Sequence, residues 1–84
     1  MGEYLITFRS ITYAQRGERV LGGRGMRVYL SRTPKSLSKL GCGYCVHLFT
    51  DNILSAVQAL RAAEVPMRKV YRKASDGRPE ELYL

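Results

Sequence analysis

Tryptophan is absent from this 84-residue chain, histidine occurs once, and cysteine only twice. Two cysteines are too few for the disulfide framework of a small secreted domain. A lone histidine excludes a metal centre built from several imidazoles of one chain. No apolar run approaches the ~20 residues of a membrane span. The opening MGEYLITF carries an acid where a signal peptide has a basic region followed by a long apolar stretch. The expectation is a cytoplasmic protein, off the membrane, with reduced thiols.

Acidic residues are scarce as well. Seven Asp and Glu stand against fourteen Lys and Arg, a formal net charge of +7, and ten of those fourteen are Arg. Such a balance favours anionic partners, whether nucleic acid, phosphate or the acidic face of another protein. Arginine suits bidentate anion contacts. A Ser-His-Asp set, a paired-carboxylate pattern, a phosphate loop and a dinucleotide fingerprint are all missing from the pattern. Classical hydrolase and nucleotide-dependent chemistry is therefore unsupported at this level. The cluster GGRG, Gly22 to Gly25, is too short for a phosphate loop and precedes a strand, so it reads as a helix stop.

Eighty-four residues make one domain, with a core over about 3–73 and a turn and tail over 74–84. EYLITF (Glu3–Phe8) has the β-branched and aromatic content of a buried strand. Ser10 can cap a helix over about Ser10–Leu21, with Ile11, Ala14, Val20 and Leu21 close to one face and Gly17 weakening the middle. MRVYLSR (Met26–Arg32) alternates as a half-buried strand, Met26, Val28 and Leu30 on one side and Arg27 and Tyr29 on the other. YCVHLF (Tyr44–Phe49) is a third strand, which separates Tyr44, Val46 and Leu48 from Cys45, His47 and Phe49.

The clearest helix follows. Ile53, Ala56, Val57, Leu60 and Ala63 recur at helical spacing behind Asp51 or Asn52 as cap, and Pro66 ends the run. MRKVYRK (Met67–Lys73) reads as a fourth strand, Asp76-Gly77 as a turn, and Leu82–Leu84 as a short strand or a frayed end. The order is β-α-β-β-α-β. The fold expected is α+β and ferredoxin-like, an antiparallel sheet with two helices on one face.

Both cysteines and the histidine fall within LSKLGCGYCVHLFT (Leu37–Thr50). A thiol reacts as its thiolate, which nearby positive charge and converging N–H groups favour. Cys42 has Lys39 three residues before it and His47 on the strand after it, and the flanking Gly41 and Gly43 remove side-chain bulk. Both glycines also permit the backbone angles from which N–H nests are built. The competing reading is a glycine-rich turn beside an incidental cysteine. Cys42 and Cys45 have the spacing of a redox dithiol or half a zinc site, but the motif enters a strand instead of opening a helix. A zinc site in one chain needs two more ligands, and His47 alone is at hand. Cys45 reads better as a small buried sheet residue, and His47 as a partly exposed one.

The run from YLITF through MRVYLSRTPKSLSKLGCGYCVHLF to KVYRK resembles the selenium/sulfur carrier protein-like family, over about Tyr4 to Lys73. Its most specific piece is Thr33-Pro34, then Leu37-Ser38, then Cys42-Gly43, in that order and spacing. The resemblance places the family's characteristic cysteine on Cys42, and it does not extend to Cys45 or His47. It implies a carrier that holds sulfur or selenium as a transient persulfide or perselenide on Cys42, without a resident cofactor or metal. Such a protein is a relay between donor and acceptor enzymes of sulfur or selenium metabolism and not a turnover enzyme. Lys39 is then the candidate for electrostatic support, His47 a weaker one, and Cys45 a candidate resolving thiol. The alternative is a basic binding module for RNA or a protein partner, in which Cys42 is structural. Tyr and Arg interleaved on strands suit base stacking, and they suit a homodimer interface equally well.

Overall fold

The computed structural model describes residues 2–33, 43–74 and 76–83. Five strands form a single sheet, β1 (Gly2–Phe8), β2 (Arg27–Arg32), β3 (Tyr44–Thr50), β4 (Val70–Lys73) and β5 (Pro79–Leu82), with helices α1 (Ile11–Gly23) and α2 (Ile53–Ala62). The order across the sheet is β2-β3-β1-β4-β5, and every pairing is antiparallel. The α+β class and the two helices accord with the sequence reading; the fifth strand, read as a short strand or frayed end at Leu82–Leu84, forms earlier, at Pro79–Leu82.

Alternation decides the two faces. Ile6 and Phe8 of β1, Val46 and Leu48 of β3 and Val70 of β4 join Ala14 and Leu21 of α1 and Ala56, Val57, Ala59 and Leu60 of α2 in one buried cluster. Both helices therefore cover the same side. Full burial of each large apolar side chain contributes about 1.5–3 kcal/mol, which a chain this short needs. On the opposite face Leu5, Cys45 and Tyr71 form a second, smaller buried cluster.

Helix α1 starts where the sequence places it, with the Ser10 hydroxyl accepting the Tyr13 N–H at 3.4 Å. It runs two residues beyond Leu21 and stops at Gly25, whose φ of +81° is the left-handed turn that glycine adopts freely. Its buried stripe is Ala14, Gly17 and Leu21, while Ile11, expected on that face, is 41 % exposed. Gly17 has a structural reason: a Cβ there would lie 2.7 Å from Cζ of the buried Phe8 ring. Helix α2 is capped by Asn52, whose side-chain oxygen accepts the Ser55 N–H at 3.2 Å. It ends ahead of Pro66, at a left-handed Glu64 with φ of 58°, where Val65 N–H returns to the Leu60 carbonyl at 2.9 Å.

The expected strand from Met67 begins only at Val70. Thr7 is the cause. Its N–H donates to the Lys69 carbonyl and its own carbonyl accepts the Arg68 N–H, both at 2.8 Å, while its hydroxyl takes the Lys69 N–H at 3.0 Å. Two residues thus share one partner, as at a β-bulge, and the regular ladder starts after them. The Asp76-Gly77 turn forms as read, with Gly77 at φ +83° and the Arg78 N–H on the Asp76 carboxylate. It leads into β5, the edge strand, which opens on Pro79 where no ladder N–H is needed. No helix among the described residues is long and apolar enough to cross a membrane.

Candidate functional site

Cys42, Gly41 and Lys39 lie outside the described residues, so their expected roles gain no geometry. Gly43 marks the end of the segment that carries them. Its φ of +137° belongs to a region that side chains rarely enter. Its carbonyl accepts the Thr33 N–H at 3.1 Å, which ties Gly43 to the residue that follows β2. The Thr33 hydroxyl oxygen is buried beside it, without a hydrogen-bond partner among the described residues.

Cys45 is a free cysteine with no exposed surface. Its sulfur lies 3.3 Å from the Ser31 hydroxyl and donates toward the Arg32 carbonyl at 3.8 Å. Burial pushes the thiol above its usual range, and neither the Ser31 hydrogen bond nor the charge of Lys73 offsets this. Burial of this kind disfavours the thiolate, the reactive form, and it agrees with the sequence reading of a small buried sheet residue. Cys42, the other thiol of the CxxC spacing, lies outside the described residues, and no group of three His, Cys, Asp or Glu side chains among the described residues is placed to hold a metal ion.

His47 lies on the same face as Cys45, 12 % exposed at its side chain. Its Nε2 is 2.8 Å from the Ser31 hydroxyl, and its Nδ1 is 3.6 Å from Oε2 of Glu3, an electrostatic contact longer than a hydrogen bond. Lys73 Nζ sits 3.1 Å from the same Glu3 oxygen. Burial and the Lys73 charge hold the imidazole below its usual pKa, against the opposing pull of Glu3. The Tyr29 ring stacks on the imidazole, with centroids 4.4 Å apart and planes within 4°. His47 Nδ1 is buried without a hydrogen-bond partner among the described residues, and which of Ser31 Oγ and Nε2 donates follows the imidazole tautomer.

Three strands assemble this group. Ser31 is directly opposite Cys45 across β2 and β3, Tyr29 is opposite His47, and Glu3 is opposite Phe49 across β1 and β3. Period two within each strand then turns Glu3, Tyr29, Ser31, Cys45 and His47 to one face. The sequence reading placed Cys45 and His47 on a common face but missed Glu3, Ser31 and Lys73. It also found no serine, histidine and carboxylate set; the sheet builds one from Ser31, His47 and Glu3. The only signal available was the alternation itself, which becomes informative once the strand pairings are known.

No curated protein and no solved structure matches the chain. Residues 3–72 match the family described as "Putative Se/S carrier protein-like", a span that holds both helices and nearly all of β1 to β4, with β5 beyond it. The chain belongs to that family.

Proposed function

We propose that this protein is a sulfur or selenium carrier whose working thiol is Cys42. One observation carries the assignment: of the two thiols, Cys45 is sealed in the sheet with its pKa raised. A carrier needs a thiol that two successive partners can reach, and that requirement falls on Cys42. Family membership supports the cargo class. Gly43, held at a glycine-favouring angle directly after Cys42, supports a bulk-free approach to the sulfur. His47 is hydrogen-bonded to Ser31 within the sheet, so Lys39 is the residue proposed to favour the thiolate.

The transfer needs no net redox change. The Cys42 thiolate attacks the outer sulfur of a donor enzyme's persulfide, and the donor thiolate leaves. Cys42 then carries the persulfide until an acceptor nucleophile attacks the same outer atom and Cys42 departs as thiolate. Selenium follows the same route. The scaffold is proposed to be a ferredoxin-like plan extended by β5, with β1 central between β3 and β4. The setting proposed is cytoplasmic, with acidic docking surfaces on the partner enzymes matched to the +7 charge. Incubation with a cysteine desulfurase and radiolabelled cysteine tests the reading. Thiol-labile label should appear on the wild type and on Cys45→Ala and be lost in Cys42→Ser.

A second reading has its own observation. Arg27 lies 5.4 Å over the Phe49 ring and Tyr29 is 46 % exposed on the same face, a surface suited to stacking the bases of single-stranded RNA. Salt-dependent RNA binding that survives Cys42→Ser and fails in Tyr29→Ala would favour it.

A further inference from the structure

We infer that Ser31 is an activated nucleophile toward small acyl esters, with His47 as its general base and Glu3 as the positioning carboxylate. The inference is independent of the carrier chemistry and of Cys42. Its basis is the arrangement on the sheet face away from the helices. The Ser31 hydroxyl lies 2.8 Å from His47 Nε2, and it donates there when the imidazole carries its proton on Nδ1, the nitrogen that the Glu3 carboxylate faces at 3.6 Å. Nucleophile, base and orienting group thus stand in the sequence of contacts that serine acyl transfer uses, on strands with no relation to any hydrolase pattern.

Three further observations fit the role. Stacking of Tyr29 on the imidazole, at 4.4 Å and 4°, fixes the ring plane that Nε2 must present to Ser31. The Cys45 sulfur, whose S–H is directed at the Arg32 carbonyl, packs 3.3 Å from Ser31 Oγ and helps to hold the hydroxyl beside His47. Ser31 also lies half-buried on β2, which with β5 is one of the two outer strands of the sheet. Alternate backbone N–H groups of such a strand point away from its neighbour, the donor type that holds a developing oxyanion.

The chemistry balances without a cofactor. Ser31 Oγ attacks the ester carbonyl, its proton passes to His47 Nε2, and the alcohol or phenol leaves with that proton. Water, deprotonated by the same nitrogen, then attacks the acyl-serine; the acid is released and Ser31 regains its proton. The groups that face His47 are Glu3 from β1, Tyr29 and Ser31 from β2, and Lys73 from β4, with Cys45 on its own strand. Lys73 shares the Glu3 carboxylate and so weakens the base.

The test is reaction of the full-length protein with a fluorophosphonate, followed by peptide mapping, together with p-nitrophenyl acetate hydrolysis as a function of pH. The expected label is on Ser31 of the wild type, retained in Cys42→Ser and lost in Ser31→Ala and His47→Gln. Ester hydrolysis should fall by about 100-fold in the last two variants. The acid limb of the wild-type profile should lie below the usual histidine range, and Lys73→Met should move it upward by freeing Glu3 for the imidazole. Mapping on the wild type does not depend on any variant folding. A label absent from Ser31, or an acid limb that Lys73→Met leaves in place, overturns the inference.

Discussion

The rings of Tyr29 and His47 lie parallel across the β2–β3 pair, 4.4 Å between centroids. Each does something for the other: Tyr29 shields one face of the imidazole from water, and the imidazole gives Tyr29, itself 46 % exposed, a packed underside. Tyr29→Ala should therefore cost about 1 kcal/mol of stability. It should also raise the His47 pKa toward its ordinary value, because desolvation is the largest cause of the depression. Tyr29→Phe should change neither. An NMR titration of the imidazole in the three proteins checks this directly.

The two perturbed groups bracket the pH range of full stability. His47 is depressed in the fold, so its contribution is present above the unfolded value of about 6.5 and is lost as pH falls through the lower folded value. Cys45 is raised, so its contribution is present below its ordinary 9.0 and is lost as pH rises through the higher folded value. Urea midpoints measured across pH should form a plateau with two shoulders. His47→Gln should flatten the acid shoulder and Cys45→Ala the alkaline one.

Gly17→Ala reverses the ordinary rule for a helix interior, where Ala is favoured over Gly by about 1 kcal/mol. The new Cβ would stand 2.7 Å from Cζ and 3.2 Å from Cε1 of Phe8, a ring with 1 % exposure and no room to retreat. Overpacking of this kind should destabilise by about 1–3 kcal/mol. Phe8→Leu should relieve part of the clash, so the double variant should lose less than the sum of the singles. A double-mutant cycle in urea measures the coupling.

That glycine shows where sequence reasoning stops. Gly17 reads as a weak point because helix propensity is local, whereas the Phe8 ring that requires it arrives from another element. Helix α2 was legible because its apolar spacing and its Asn52 cap are both written within a few residues. Met67 to Lys69 was misread as strand because the Thr7 hydroxyl, 62 residues away in sequence, takes the Lys69 N–H. Ser31, His47 and Glu3 meet only through the register of three strands, and register is a property of pairing that no single strand displays. Cys45 was legible as a buried sheet residue from its type, a small apolar thiol within a strand, whereas alternation alone did not say which face it takes.

Gly43→Ala probes the end of the segment that carries Cys42. At φ +137°, with Thr33 Oγ1 3.4 Å and the Phe8 carbonyl oxygen 3.5 Å from the added Cβ, the substitution should cost about 1–3 kcal/mol. A thermal melt reads the loss.

The two thiols should differ in reactivity by their surroundings. Brief treatment of the native protein with iodoacetamide should alkylate Cys42 and spare Cys45, whose sulfur is fully buried and held protonated. Denaturation should make the two equal. Peptide mapping before and after unfolding separates them.

The most direct test of the carrier account is the intact mass of the reduced protein after incubation with a cysteine desulfurase and cysteine, or with a selenocysteine lyase and selenocysteine. The account predicts the gain of one sulfur or one selenium atom, present in wild type and Cys45→Ser and lost in Cys42→Ser. An unchanged mass, or an added atom that persists in Cys42→Ser, would contradict it.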